Sequence, residues 1–462
     1  MSALPPQQLS PLDSRYYRVV SALGDHLSEA GLNRARVRVE IEWLIFLCEH
    51  KLFGATPLTG EQQQALRAVV TEFGQDAIDE IGEIESRTRH DVKAVEYFVR
   101  ARLREQGLAG IEELTHFACT SEDINNTSYA LTIRAAITEV WLPAAHSVIK
   151  LITELAETNR DQSMLSLTHG QPATPTTLGK ELAVVAHRLT RVLRRIEQQE
   201  YLGKWAGATG NFAAHLAASP ETDWESLAAE FMDVLELTWN PLTTQIESHD
   251  WQAELYANIS HFNRILHNFC TDVWLYIQRG IFTQIPQPGA TGSSTMPHKI
   301  NPIRFENAES NLELSCAILD SLAATLVTSR MQRDLTDSSS QRNIGVGFGH
   351  SLLALDNVRR GLGELAVNAE RLDAELADNW EVLAEAIQTV IRAEKVAGRS
   401  EIEDPYAVLK ELTRGHRIGR EELIAFVADL DISDDAKDRL RALTPQTYTG
   451  RSAALVERLT TD

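Results

Sequence analysis

The 462 residues are 43% hydrophobic and 24% charged, proportions of a soluble globular chain that exclude a disordered or low-complexity protein. A formal net charge of -21 and a pI near 5.1 set up a field that repels phosphate backbones, so neither nucleic acid nor an acidic membrane is expected as a partner. Any anionic ligand therefore needs a local basic pocket. Cys48, Cys119, Cys270 and Cys316 have no CxxC spacing, which speaks against a disulfide framework or a zinc site and for buried thiols in a reducing compartment. Met1 to Leu12 lacks a basic flank and an apolar core, and no uninterrupted apolar run reaches membrane-spanning length, so a cytoplasmic protein is expected.

The length suggests about three domains. From Leu27 to about Gly107 the pattern is helical, in segments such as Val37 to Leu52 and Glu61 to Ile81 separated by Gly54, Pro57 and Gly60. Ser14-Arg15-Tyr16 lies in a non-periodic lead, and Arg89-His90-Asp91 opens a helix over Val92 to Arg104. The middle of the chain holds longer patterns. Leu182, Val185, Leu189, Val192 and Ile196 recur at spacings of three and four; so do Leu255, Ile259, Phe262, Leu266, Phe269 and Val273, and the series Phe305, Ala308, Leu312, Ser315, Leu319, Leu322 and Leu326. Such seams are those of long helices packed nearly parallel in a bundle. Ala130 to Arg160 is helical with a kink expected at Pro143, and His350 to Val367 forms a further helix. One chain cannot easily cover all those faces, so subunits are expected to associate through the bundle. Beyond Val367 the periodicity shortens. Alternating β-branched runs are missing, and Gly345-Val346-Gly347-Phe348-Gly349 follows no strand, so it is no dinucleotide fingerprint. The expected fold is all-α with three helical domains: residues 1–110 with His90, residues 111–366 as a central long-helix bundle, and residues 367–462 as a small C-terminal unit.

Polar, non-periodic stretches interrupt these helices. His116 to Asn126 reads HFACTSEDINN, with a capping box at Thr120-Ser121-Glu122-Asp123. Thr168-His169-Gly170-Gln171-Pro172 begins a loop whose histidine could donate a proton near neutral pH. Gly203 to Asn211 is rich in small residues, Gln245 to Asp250 reads QIESHD, and Ser329 to Arg342 presents Arg330, Arg333 and Arg342 after a helix end.

A last stretch, Thr291 to Pro302, reads TGSSTMPHKINP. Pro286, Pro288, Gly289 and Gly292 break any helix before it, while Asn301-Pro302 reads as an N-cap followed by proline at the first helical position. No acidic residue lies between Asp272 and Glu306. Lys299, Arg304 and the helix N-terminus should thus attract anions, with Ser293 and Ser294 on a flexible loop inside their field. No cofactor is needed, and no metal-ligating constellation occurs: paired cysteines, and histidines at i and i+4 with a carboxylate, are missing.

GSSTMPHKINP (Gly292 to Pro302) resembles the GSSxMPxKxNP signature of the aspartase/fumarase superfamily. With HDVKAVEYF (His90 to Phe98), CTSEDINN, THGQPATPT and SRMQRDLTDSS, the chain is similar along nearly its whole length to the adenylosuccinate lyase family of the long bacterial type. Ser14 stands where glycine would be common, and Arg89 where the family varies. The resemblance implies β-elimination of fumarate from adenylosuccinate, giving AMP, and from the succinylcarboxamide ribotide SAICAR, giving AICAR. It implies Ser293 as general base and His169 as general acid, with His90 assisting that acid or binding phosphate. Lys299, with Asn301 beside it, would meet the carbanion charge. A histidine base, His169 or His298, is the physical rival to Ser293, because an unperturbed hydroxyl accepts protons poorly. Arg15, Tyr16, Arg89, Asp91, Thr120, Ser121, Gln245, Arg333, Ser338 and Arg342 are carried over as substrate contacts. The resemblance also implies a homotetramer in which each active site draws on three subunits.

Overall fold

The computed structural model describes residues 8–286, 296, 298–413 and 418–459. Its helices run in chain order α1 (Tyr17–Leu27), α2 (Glu29–Glu49), α3 (Gly60–Thr71), α4 (Gln75–Thr88), α5 (Asp91–Glu105), α6 (Ser121–Ala135) and α7 (Leu142–Thr158). A hairpin of β1 (Ser163–Thr168) and β2 (Gln171–Thr177) leads to α8 (Leu178–Glu197) and to β3 (Leu202–Gly203). Then follow α9 (Ala213–Ala218), α10 (Trp224–Val234), β4 (Thr238–Trp239), α11 (Asp250–Arg279) and β5 (Phe282–Gln284). The chain continues through α12 (Ile303–Leu326), α13 (Thr336–Gln341), α14 (Ile344–Gly363) and β6 (Leu365–Val367). It ends in short helices α15 (Ala369–Ala377), α16 (Ala384–Val396), α17 (Pro405–Thr413), α18 (Arg420–Asp429), α19 (Asp434–Ala442) and α20 (Ser452–Val456). The fold is all-α, with strands only as short clips.

Contacts divide the chain into two compact units: residues 1–146, 192–264 and 308–356, and residues 147–191, 265–307 and 357–462. The boundaries fall inside α7, α8, α11, α12 and α14, so each of these five long helices contributes to both units. The seams lie where the apolar spacing puts them. Leu255, Ile259, Phe262, Leu266, Phe269 and Val273 are all buried, as are Phe305, Ala308, Leu312, Ser315, Leu319, Leu322 and Leu326.

In the first unit, buried polar bonds join those seams. Asn263 Nδ2 donates to Ser315 Oγ (3.0 Å), Ser315 Oγ to the Gly347 carbonyl (2.8 Å), Ser351 Oγ to Asn263 Oδ1 (2.9 Å) and Trp141 Nε1 to Ser351 Oγ (2.9 Å). Trp141, Asn263, Ser315 and Ser351, set among apolar neighbours, thus each have a partner, which fixes the register of the helices that carry them. Trp43 of α2 packs with Trp205 and Phe231 at centroid distances of 4.9 Å each. In the second unit, Leu383, Ile387, Ile391, Leu423, Val427 and Leu440 form a separate core of the C-terminal helices.

Several sequence expectations need correction. The lead before Leu27 is helical from Tyr17 onward. Glu61 to Ile81 is two helices rather than one, because Gly74 caps the N-terminus of α4. The expected kink at Pro143 takes the form of a π-helical turn, Ala136–Trp141, just before it, which widens the helix where the proline cannot donate. The helix expected over His350 to Val367 starts earlier, at Ile344, with the GVGFG run inside it, and ends at Gly363. Leu365–Val367 instead pairs antiparallel with Phe282–Gln284. The THGQP loop is a hairpin: Thr168 pairs with Gln171, and the two prolines of β2 are tolerated because both strands of a two-stranded ribbon are edges.

One helical run, Ser121–Thr158, is long and apolar enough to cross a membrane by length and composition, with a mean hydropathy of 1.2 over 18 residues. Only 33% of that window is buried. The longest charge-free runs in it, 124–133 and 140–149, are about half of what a spanning helix needs.

Candidate active site

Most of the expected contacts lie in the first unit, where local capping chemistry orients them. His90 is the N-cap of α5: its Nδ1 accepts from the Lys93 N–H (3.3 Å), and the side chain remains 52% exposed. Arg89 before it closes α4 in the left-handed region, φ +54. Asp91, the first residue of α5, turns one oxygen back to the Val92 N–H (2.8 Å) and offers the other, Oδ2, to two guanidinium groups. One is Arg36 (2.8 Å), the other Arg342 (3.3 Å). Burial alone would raise the Asp91 carboxyl, but Arg36, the Val92 N–H and Arg342 outweigh it and hold the group below the usual carboxylate range. Arg342 Nη1 also donates to Ser338 Oγ (2.8 Å). Asp91, Ser338 and Arg342 thus form one cluster.

A second cluster gathers at the start of α6. The capping box read from the sequence is present, with the Thr120 N–H donating to Asp123 Oδ2 (2.7 Å). Asp123 Oδ1 accepts from the Ala206 N–H (2.9 Å), the Gly207 N–H (3.2 Å) and Lys204 Nζ (2.8 Å). Lys204 and Asp123 are buried to 0% and 1% exposure, so their charges are matched where water cannot reach them. Asn126 adds two bonds to the Lys204 backbone, which fastens the 203–211 turn to α6. The other side of that turn meets Gln245, whose Nε2 donates to the Ala208 carbonyl (3.0 Å). Gly210, at φ +69, passes so close to the Thr243 carbonyl that a Cβ has no room. Thr120, Ser121 and Gln245 are thereby carried on one tethered assembly.

Arg333 bridges onto it. Its Nη2 lies 2.9 Å from Glu122 Oε1 and 3.6 Å from Asp337 Oδ1. Burial pushes the Glu122 carboxyl up, against the opposing pull of Arg333 and Asn125. Tyr16, half-buried, packs on Leu12, Val20 and Leu353, and the Arg15 guanidinium sits 5.7 Å from its ring centre.

The remaining residues belong to the second unit. His169 and Gly170 form the two-residue turn of the β1–β2 hairpin, with φ values of +54 and +73, the pair of positive φ angles that a type I′ turn requires. The histidine side chain is exposed. Lys299 is exposed and its N–H donates to the Met296 carbonyl (3.0 Å). Asn301, half-buried, lies two residues before the start of α12. The helix begins one residue later than expected, because the Pro302 carbonyl accepts from Phe305 and Glu306. Arg304 is not a free cation, since it pairs with Glu364 (3.4 Å). Ser293 and Ser294, and with them the flexible loop expected around them, lie outside the described residues. Among the described residues, no group of three or more His, Cys, Asp or Glu side chains is placed to hold a metal ion.

The sequence reading missed Arg36, Asn125 and Lys204 as members of this network. A signal existed for the first. Between Leu32 and Leu47, α2 interleaves Arg36, Arg38, Glu40 and Glu42 with aliphatic residues and so has no clean polar face, which marks charged groups that must find partners inside.

Residues 15–316 match a family model described as Lyase, and residues 329–449 one described as Adenylosuccinate lyase C-terminal. Curated relatives of the same length include an adenylosuccinate lyase of Escherichia coli K12, 49% identical over 98% of both chains, and one of Haemophilus influenzae, 47% identical over 98% of both. In backbone shape the chain resembles a fumarate lyase from Mesorhizobium sp. BNC1 (TM-score 0.75, 18% identity, 96% of this chain and 97% of that one). It also resembles a 3-carboxy-cis,cis-muconate lactonizing enzyme from Pseudomonas putida (TM-score 0.74, 20% identity, 98% of both). These two share the fold alone, whereas identity near one half along the whole length is a family relation: the chain belongs to the adenylosuccinate lyase family.

Proposed function

We propose that the protein eliminates fumarate from adenylosuccinate, leaving AMP, and from SAICAR, leaving AICAR. The observation that carries this reading is the Asp91, Ser338 and Arg342 cluster beside His90: a guanidinium and a hydroxyl oriented by a carboxylate and able to meet an anionic ligand in a protein of net charge -21. Both substrates carry a phosphate and two carboxylates. Arg15, Tyr16, Arg89, His90, Asp91, Thr120, Ser121, Gln245, Lys299, Asn301, Arg333, Ser338 and Arg342 are the substrate contacts.

The reaction takes a proton from the carbon next to one carboxylate of the succinyl group, and Ser293 receives it. The electron pair left behind spreads into that carboxylate as a dianionic aci-acid. Lys299 and the N-terminus of α12, with Asn301, stabilise this charge, which develops only on the way to the transition state. The pair then forms the fumarate double bond and the C–N bond breaks. The purine or imidazole-carboxamide nitrogen leaves with a proton from His169, assisted by His90. No covalent intermediate forms and no cofactor takes part.

The protein acts as a homotetramer whose active sites are shared between subunits. Exposed Trp274, Leu275 and Leu314 on long helices support this, as do the half-buried Val140, Leu142, Ile149 and Leu151 within Ser121–Thr158. Residues 1–110, 111–366 and 367–462 serve as three functional domains, the last supported by its separate core.

A spectrophotometric assay with adenylosuccinate, argininosuccinate and malate tests the activity. Turnover of adenylosuccinate alone is expected. Turnover of either of the others would reassign the substrate, and silence with all three would point to a helical scaffold without catalysis.

A further inference from the structure

Asp91 lies far in sequence from Arg333 and Arg342, yet a run of buried polar side chains connects the three, and Arg36 stands at its centre. The Arg36 side chain is 1% exposed. All its bonds go to side chains: Nε donates to Asn125 Oδ1 (2.9 Å), Nη1 to Asn33 Oδ1 (2.8 Å) and Nη2 to Asp91 Oδ2 (2.8 Å). Asn125 carries the run onward, its Nδ2 donating to Glu122 Oε1 (2.8 Å), the same oxygen that lies 2.9 Å from Arg333 Nη2. Glu122 is 2% exposed and Asn125 7%.

An apolar residue would fill this position of α2 at less cost than a charge removed from water, so packing alone does not explain Arg36. Charge balance does. Asp91 Oδ2 faces two guanidinium groups, with Arg36 the nearer. Without Arg36, the Asp91 carboxylate would hold Arg342, which Glu29 also pairs (3.3 Å), more tightly and so draw its Nη2 away from a ligand. Without the Asn125 bridge, Glu122 would be free to turn, and Arg333 with it.

We infer that Arg36 is a positioning residue: through Asp91 it leaves Arg342 available to substrate, and through Asn125 and Glu122 it sets the placement of Arg333. The inference rests on the reading of Asp91, Arg333 and Arg342 as substrate contacts. A lysine cannot replace it, because one ammonium does not reproduce a planar fork that serves three acceptors at once.

The experiment is steady-state kinetics with adenylosuccinate on the full-length protein, with thermal melts as the folding control. R36K is expected to raise KM about tenfold while kcat changes less than about threefold, with a cooperative melt retained. N125A removes the bridge and no charge, so it decides the matter if R36K does not fold; it should raise KM in the same way. Coupling is the readout that a merely structural role would not move. The costs of D91N and E122Q on kcat/KM should be non-additive with Arg36 present and additive within about twofold in the R36K background. A folded R36K or N125A with unchanged KM, or equal coupling in both backgrounds, overturns the role of Arg36 and leaves the activity standing. Absence of adenylosuccinate turnover by the unaltered protein overturns both.

Discussion

The two groups of candidate residues are built in opposite ways. Asp91, Ser338, Arg342, Arg333 and Thr120 are each held by side-chain or capping bonds, several of them buried, before any ligand is present. His169 and Lys299 stand exposed, the first on a two-residue turn and the second on the short lead into α12. The contrast suits the work proposed for each group. Residues that bind a polyanion gain from being fixed beforehand, since ordering them on binding would subtract from affinity. Residues that move protons or meet transient charge act on the difference between ground and transition state, and need only be correctly placed when the substrate arrives.

Removing the groups proposed to move protons, Ser293 and His169, should therefore strike turnover and spare binding. The largest effect is expected for S293A, which should abolish detectable turnover while equilibrium binding of adenylosuccinate persists; substantial remaining activity would move the base to a histidine, His169 or His298. H169N should lower kcat about a thousandfold with KM little changed. If either variant instead raised KM alone, the division between binding and proton-moving residues would fail.

The sequence carried this division only in part. Periodicity revealed the long helices, because an apolar residue every three or four positions can be buried in only one way, and the apolar seams running from Leu255 to Val273 and from Phe305 to Leu326 are buried while the other faces of those helices are not. Capping chemistry is equally local, so His90 and Thr120 were readable at their helix starts. The hairpin around His169 was not. Its second strand contains Pro172 and Pro175, which argue against a strand unless both ribbon edges are free of further partners. The pairings of Arg36 and Lys204 were hidden for another reason: although α2 signals a buried charge, the partners Asp91 and Asp123 are brought near only by tertiary folding.

Within the pre-tethered group, the tethers themselves can be tested. K204M leaves Asp123 charged and buried without its cation, which should cost about 3–5 kcal/mol of stability in urea denaturation. A loss below about 1 kcal/mol would mean that the backbone N–H groups of Ala206, Gly207 and Thr120 suffice to hold the carboxylate. R342M removes a cation proposed to meet substrate. It should raise KM about ten- to hundredfold, the equivalent of one charge-assisted hydrogen bond, and change kcat less. An equal fall of kcat would place Arg342 among the residues that act on the transition state.

The smallest expected effect concerns His215, at the margin of the tethered turn. Its ring packs against Trp224 and Phe212, with centroids 4.9 Å and 5.4 Å away, and neither ring nitrogen has a hydrogen-bond partner among the described residues. Burial pushes the imidazole down from its ordinary 6.5 to about 4, with Lys204 acting in the same direction and Asp123 against it. The folded-state value lies below the unfolded one, so the unfolded chain takes up the proton first as the pH falls. Stability is whole above about pH 6.5 and is lost progressively from there toward pH 4. At pH 5 the loss attributable to this one group is about 2 kcal/mol, at about 1.4 kcal/mol per pH unit. H215F keeps an aromatic ring among Trp224 and Phe212 and removes the titration, so the gap between its urea midpoints at pH 7 and pH 5 should narrow relative to the unaltered protein. An unchanged gap would mean that His215 is reached by water or a partner once protonated, and the acid sensitivity would then belong to the surrounding carboxylates.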